Sequence, residues 1–133
     1  MSVNAYLTFR GNCREAVQFY AVVFGVEIKE IITYGEHHSA PEEIKDWIMH
    51  AKLVVNGSPL MFSDAPPDRP YSVGNNISLV IMERDEEKLR KWFDKLKEGG
   101  EVHMELQETF WSKLYGMVTD KFGIGWQLNL AHE

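Results

Sequence analysis

The chain states one order of elements twice, and that repetition restricts its fold more than any other feature. Asp64 to Pro70 (DAPPDRP) carries three prolines in seven residues. Regular structure is excluded there, because proline fixes φ and removes a backbone donor. On each side of this break the pattern runs strand, helix and three strands. The repeat is one of pattern and not of residue identity, with a period of roughly 65 to 75 residues. These signals predict one α+β domain over residues 1–133, built from modules 1–64 and 71–133 with a proline-rich linker at 65–70.

In the first module, Val3, Ala5, Leu7 and Phe9 alternate with Asn4, Tyr6, Thr8 and Arg10, which predicts a strand with one apolar face. Gly11-Asn12 breaks it. Asn12 is suited to cap a helix, and Glu15 stands three residues later, as a capping box requires. Ala16, Tyr20, Val23 and Phe24, with Val17, form the helical stripe, and Gly25 is the expected stop. Val26 to Tyr34 reads as a strand. Residues 35–46 form a polar loop with room for one helical turn at Pro41-Glu42-Glu43. Trp47 to Val55 and Leu60 to Ser63 read as a hairpin about Asn56-Gly57.

In the second module, Asn76 to Met82 reads as a strand with Ile77, Leu79 and Ile81 on its apolar face. Asp85 is placed to cap a helix with the stripe Leu89, Trp92, Phe93 and Leu96, and Glu86 and Glu87 suit its first turn. Gly99-Gly100 ends it, and Val102 to Leu106 is the next strand. Met117 to Asp120 then turns at Lys121-Phe122-Gly123 into a closing strand. There Ile124, Trp126, Leu128 and Leu130 face one way, and Gly125, Gln127 and Asn129 the other. Each helix is expected to cover the apolar face of its own sheet, leaving the opposite faces to curve as half-barrels around a cleft.

The net charge is −6 with acids and bases interleaved and no basic cluster, which argues against a nucleic-acid surface. No apolar run nears the ~18 residues of a membrane span, and no signal segment is evident, so a cytoplasmic location is expected. One cysteine, Cys13, excludes an internal disulfide. It falls at a helix start, where a thiol pKa can drop, but a passive first-turn role is expected. No G-x-G-x-x-G and no P-loop occur, so neither a dinucleotide nor a nucleoside triphosphate is implied.

The paired βαβββ pattern resembles the vicinal oxygen chelate superfamily, which includes glyoxalase I, bleomycin-resistance proteins and extradiol dioxygenases, and within it the PhnB-like branch. The residues that carry the resemblance are Tyr6-Leu7-Thr8-Phe9, Gly11-Asn12, Glu15-Ala16, Phe19-Tyr20 and Phe24-Gly25. Further along come Met49-His50-Ala51, Leu60-Met61-Phe62-Ser63-Asp64, Phe110-Trp111, and Asp120 to Trp126 (DKFGIGW). The resemblance implies the glyoxalase/bleomycin-resistance fold and a homodimer. It also implies four cleft-facing positions that hold His or Glu metal ligands in the enzymes of the superfamily. These map to Asn4, Met61, Asn76 and Gln127. A slip of one residue at the first puts Ala5 there, which supplies no ligand. Three neutral amides and a thioether suit no common divalent cation without an anionic partner. No metal and no cofactor is therefore expected. Some relatives carry a demethylubiquinone methyltransferase label, but no glycine-rich strand-to-helix turn for S-adenosylmethionine is present.

His50 is the candidate for chemistry. Its strand divides into Trp47, Met49, Ala51 and Leu53 on one face and Ile48, His50 and Lys52 on the other, more polar face. There a neutral imidazole can accept a proton or serve as a structural strand histidine. No histidine, glutamate or cysteine is placed beside it by pattern. His37 and His38 are neighbours in a polar loop, where side chains diverge rather than converge on a metal. Trp111 suits a cleft mouth or a dimer seam. Asn4, Tyr6, Asn76, Ser78 and Gln127 are expected to form an uncharged polar floor, with His50, Met61 and Trp111 completing a ligand site. The expectation is a small organic ligand, unidentified, in a metal-free cleft. The alternatives are a metal-dependent lyase or dioxygenase using His50, and a protein that sequesters a drug or toxin.

Overall fold

The computed structural model of the chain describes residues 1–37 and 40–132. The chain divides into two compact units, Met1–Ser72 and Val73–Glu133.

The first unit contains β1 (Ala5–Phe9), α1 (Cys13–Phe24), β2 (Glu30–Thr33), a short helix α2 (Tyr34–His37), a single 3₁₀ turn (Glu42–Ile44), β3 (Ile48–Val55) and β4 (Ser58–Asp64). Its sheet has the order β1-β4-β3-β2. β1 runs parallel to β4, and the other neighbours are antiparallel. Helix α1 covers one face. Ala16, Val17, Tyr20, Val23 and Phe24 are buried on it, and the Tyr20 ring stacks on Phe62 of β4 at 5.8 Å. Each large apolar side chain so enclosed contributes about 1.5–3 kcal/mol. Gly25 ends the helix in the left-handed region (φ 65°), and Asn56 and Gly57 (φ 49° and 82°) form the tight turn between β3 and β4.

The second unit repeats the plan with β5 (Ser78–Glu83), α3 (Glu86–Leu96), β6 (Glu101–Gln107), β7 (Tyr115–Thr119) and β8 (Gly125–Leu130), in the sheet order β5-β8-β7-β6. Asp85 caps α3 by accepting the Lys88 N–H at 3.2 Å. The stripe Leu89, Trp92, Phe93 and Leu96 is buried, as are Val118, Trp126 and Leu128. Asp120 organises the turn into β8. Its Oδ1 accepts the N–H groups of Phe122 (2.8 Å) and Ile124 (3.1 Å), and its Oδ2 accepts the Trp126 indole N–H (2.8 Å).

The α+β expectation holds, with local corrections. Asn12 flanks α1 but makes no side-chain cap bond. Asp64 at the end of β4 caps the helix instead. Its Oδ1 accepts the N–H groups of Gly11 (2.7 Å) and Cys13 (3.0 Å), while Oδ2 accepts that of Ile48 (2.9 Å). A buried carboxylate that satisfies three backbone donors outcompetes a half-buried amide flanking the helix. The second strand begins at Glu30 rather than Val26, and Tyr34 enters α2, where its hydroxyl donates to the Asp64 carbonyl at 2.7 Å. Ile77 precedes β5 and is 78% exposed, so it takes no part in the apolar face. Cys13 is fully buried, and that burial, with the Asp64 charge beside it, pushes its thiol pKa up rather than down. His38 lies outside the described residues. No described helix is long and apolar enough to cross a membrane.

Candidate functional site

The predicted site residues fall into two groups, one in each unit. In the first unit, the face of the sheet away from α1 carries a single rung across all four strands. Tyr6 pairs with Met61, Met61 with Lys52, and Lys52 with Glu30. His50 stands one position over on that face. A register shift between Thr33↔Ile48 and Ile32↔His50 breaks the simple alternation of β3. Ile48 is consequently fully buried, although the sequence pattern put it on the histidine's face.

His50 is held from both sides. Its Nδ1 lies 3.1 Å from the Tyr6 hydroxyl, and its Nε2 lies 3.2 Å from Oε1 of Glu30. A carboxylate only accepts, so neutral His50 carries its proton on Nε2 and accepts the Tyr6 hydroxyl proton at Nδ1. Tyr6 is 48% exposed. Sequence reading placed no carboxylate beside His50. The structure supplies Glu30, brought there by strand pairing over a separation that no local pattern encodes. Asn4 lies just before β1, is exposed, and donates to the Ser2 hydroxyl at 3.1 Å.

In the second unit, the β5-β8-β7-β6 sheet carries a polar chain. The Tyr115 hydroxyl donates to Oε1 of Gln127 at 2.6 Å, and Nε2 of Gln127 donates to the Ser78 hydroxyl at 2.8 Å. Trp111, 51% exposed, packs edge-on against Tyr115 at 5.4 Å. A hollow of about 480 Å³ opens beside this chain. It is lined by Asn75, Asn76, Ser78, His103, Met117 and Thr119, among others, and His103 Nε2 lies 2.8 Å from the Thr119 hydroxyl. Glu101 is the one carboxylate of the lining. The structure thus joins Ser78, Gln127 and Trp111 in one network, with Asn76 and Ser78 on the wall of the hollow. His103 and Thr119 line the hollow and Tyr115 bonds to Gln127, and the sequence reading named none of the three for the candidate site. Their cue was the outward face of β6 and β7, which a bulged register obscures.

A model of the Glyoxalase/Bleomycin resistance protein/Dioxygenase superfamily matches residues 2–128. The chain belongs to this superfamily. Its nearer likenesses lie in the PhnB-like branch. It is 33% identical to Protein YjdN of Escherichia coli over all of this chain and 97% of that protein. It is 37% identical to protein PA1353 of Pseudomonas aeruginosa, with a TM-score of 0.90 over 100% of this chain and 99% of that one. A PhnB protein of Bacillus cereus, described as a putative 3-demethylubiquinone-9 3-methyltransferase, is 30% identical with a TM-score of 0.82, over 98% and 100% of the two chains. The four residues to which the resemblance assigned the ligand positions are, by their own chemistry, poor partners for a divalent cation. Asn4 and Asn76 are exposed neutral amides, Met61 offers a soft thioether, and the Gln127 carbonyl oxygen is already engaged by Tyr115. Among the described residues, no three His, Cys, Asp or Glu side chains are grouped to hold a metal.

Proposed function

We infer that this PhnB-like protein binds a small organic molecule without a metal, in the hollow of the second unit. The observation that carries the reading is the lining itself. About 480 Å³ suits a small ligand, and amides, hydroxyls and an imidazole surround it with a single carboxylate. Such walls recognise a neutral polar compound through hydrogen bonds, while Met117 and Trp126 supply apolar contact. The methyl transfer named for the Bacillus cereus protein is not carried over. The strand-to-helix turn after β1 has one glycine, Gly11, and that after β5 has none.

A thermal-shift screen over small aromatic and glycopeptide compounds tests the reading in wild type and Gln127→Ala. A ligand at about 100 times its Kd adds about 2.7 kcal/mol, a shift of several degrees. A hit lost in Gln127→Ala supports binding beside this network. No shift with any compound in either protein counts against it. A cytoplasmic homodimer belongs to the same proposal, supported by the family resemblance and by the edge strands that each sheet presents. Light scattering at twice the 15.4 kDa chain mass is expected, and a monomer removes the dimer.

A further inference from the structure

We propose that the hollow of the second unit is a slot laid along one rung of the sheet. It takes a slim neutral compound with a carbonyl oxygen at one end and an O–H or N–H group at the other. Ser78 donates to the carbonyl, and Glu101 accepts from the donor group. The slot rests on the binding reading above and adds to it the chemistry of the ligand and the way round that it lies.

Three features carry it. The first is the floor. Ser78 pairs with Gly125, Gly125 with Thr119 and Thr119 with Glu101, so one rung crosses all four strands, and all four residues line the hollow. Its ends lie three strand spacings apart, roughly 14 Å. Gly125 leaves the rung bare beside Ser78. A Cβ there would stand 3.4 Å from the Ser78 Cβ, an ordinary contact, and its φ is not positive, so the fold itself does not call for glycine. The second feature is a direction of hydrogen bonds. Tyr115 and Gln127 meet at 2.6 Å, within the O–H···O range and shorter than an N–H···O bond, so the phenol meets the amide oxygen. The amide nitrogen then faces Ser78, at 2.8 Å. The Ser78 oxygen accepts that bond, and its own proton has no acceptor among the described residues. The third feature is the opposite end. Among the described residues, no side chain bonds to or pairs with the Glu101 carboxylate, which can only accept.

The two ends are not interchangeable. A ligand reversed in the slot would set a donor against Ser78 and an oxygen against Glu101. An anion is disfavoured, because the described residues lining the hollow include no lysine or arginine to offset the Glu101 charge. Thr119, between the two ends, is already engaged by His103 at 2.8 Å. Tyr115 and Gln127 do not line the hollow. Tyr115 is a positioning residue that acts through Gln127, keeping the amide oxygen turned away from Ser78.

The test uses 4-hydroxyacetanilide, which carries a carbonyl at one end and a phenol O–H at the other. 4-Propylphenol lacks the carbonyl, 4-methoxyacetanilide lacks the donor, and 4-acetamidobenzoate has a carboxylate in the donor's place. Each is titrated to millimolar concentration into nitrogen-15-labelled protein and followed by NMR. 4-Hydroxyacetanilide should bind tightest and move the amide signals of Ser78, Thr119 and Gly125. Ser78→Ala should weaken it about fivefold, as the loss of one hydrogen bond does, and leave 4-propylphenol unchanged. Glu101→Ala should weaken it about tenfold, leave 4-methoxyacetanilide unchanged and strengthen 4-acetamidobenzoate. Tyr115→Phe frees the Gln127 amide to turn over and should narrow the gap between 4-hydroxyacetanilide and 4-propylphenol. Gly125→Ala should abolish binding of every probe while the rest of its spectrum stays that of the folded protein. Equal binding of the three uncharged probes, lost in Gly125→Ala, overturns the slot's chemistry and leaves the binding reading standing. If no probe moves the signals of the rung, the proposal falls, and the thermal-shift screen decides the binding reading by itself.

Discussion

The Oδ1 atom of Asp64 accepts the backbone N–H of Cys13 at 3.0 Å, so the cap of α1 comes from a residue 51 positions later. The same carboxylate, 1% exposed, also takes the N–H groups of Gly11 and Ile48. It therefore ties the end of β4 to the start of α1 and the start of β3. Asp64→Ala leaves three donors without their charged acceptor and is expected to cost about 2–4 kcal/mol. Asn12→Ala removes no cap bond and is expected to cost no more than about 0.5 kcal/mol. Urea unfolding of both variants checks the contrast. Equal losses contradict the assignment of the cap to Asp64.

The Cys13 thiol is the group in this region with the clearest pH signature. Burial first, and the Asp64 charge second, push its pKa far above the ordinary value of 9.0. The folded protein holds this proton more tightly than the unfolded chain does. The stabilisation is therefore complete below pH 9.0 and declines as the pH rises through that value, by about 1.4 kcal/mol per unit. Tyr34, also raised mainly by burial, adds a decline of the same sign above pH 10.0. Unfolding free energies from pH 8 to 10 should fall less steeply in Cys13→Ala than in wild type. A thiol reagent at pH 8 should leave the folded protein unmodified and react once it is unfolded. Rapid labelling of the native chain contradicts the burial.

Much of the fold is written in short-range pattern. The stripe Leu89, Trp92, Phe93 and Leu96 needs only the helical period, and it is buried as that period dictates. Asn56-Gly57 and Gly123 mark their turns by backbone chemistry alone. What pattern misses is long-range. Asn12 looks like a cap because its neighbours are helical, yet the donors near it are satisfied by a carboxylate from another strand. His50 looks isolated in the sequence because Glu30 and Tyr6 reach it through strand pairing, and a bulge in β3 moves Ile48 off its face. Of the proposed ligand residues, Ser78 and Gln127 meet by a bond across neighbouring strands, as face alternation implies. Tyr115 and His103 lie on the bulged pair β6 and β7, where alternation is no guide.

The second unit has two glycines, Gly100 beside the Thr119 carbonyl and Gly116, where neighbouring atoms lie too close for any Cβ. A methyl group on Gly116 of β7 would meet Phe93 at 2.9 Å, Leu106 at 3.0 Å and the Met104 carbonyl at 3.1 Å. Phe93 is fixed in the buried stripe of α3, so it cannot yield without opening the helix–sheet packing. Gly116→Ala is expected to cost about 1–3 kcal/mol, while Gly57→Ala meets no atom within 4 Å and pays only for its positive φ. Thermal unfolding of Gly116→Ala checks this, and an unchanged Tm contradicts the packing described.

The central proposal is that this superfamily member, with neutral side chains at Asn4, Met61, Asn76 and Gln127, binds its ligand without a metal. Protein purified without chelator, incubated with Mn, Fe, Ni and Zn salts and then dialysed, tests it by elemental analysis. The account predicts metal content far below one ion per chain, unchanged in Gln127→Ala. One tightly held ion per chain, lost in Gln127→Ala, would contradict it.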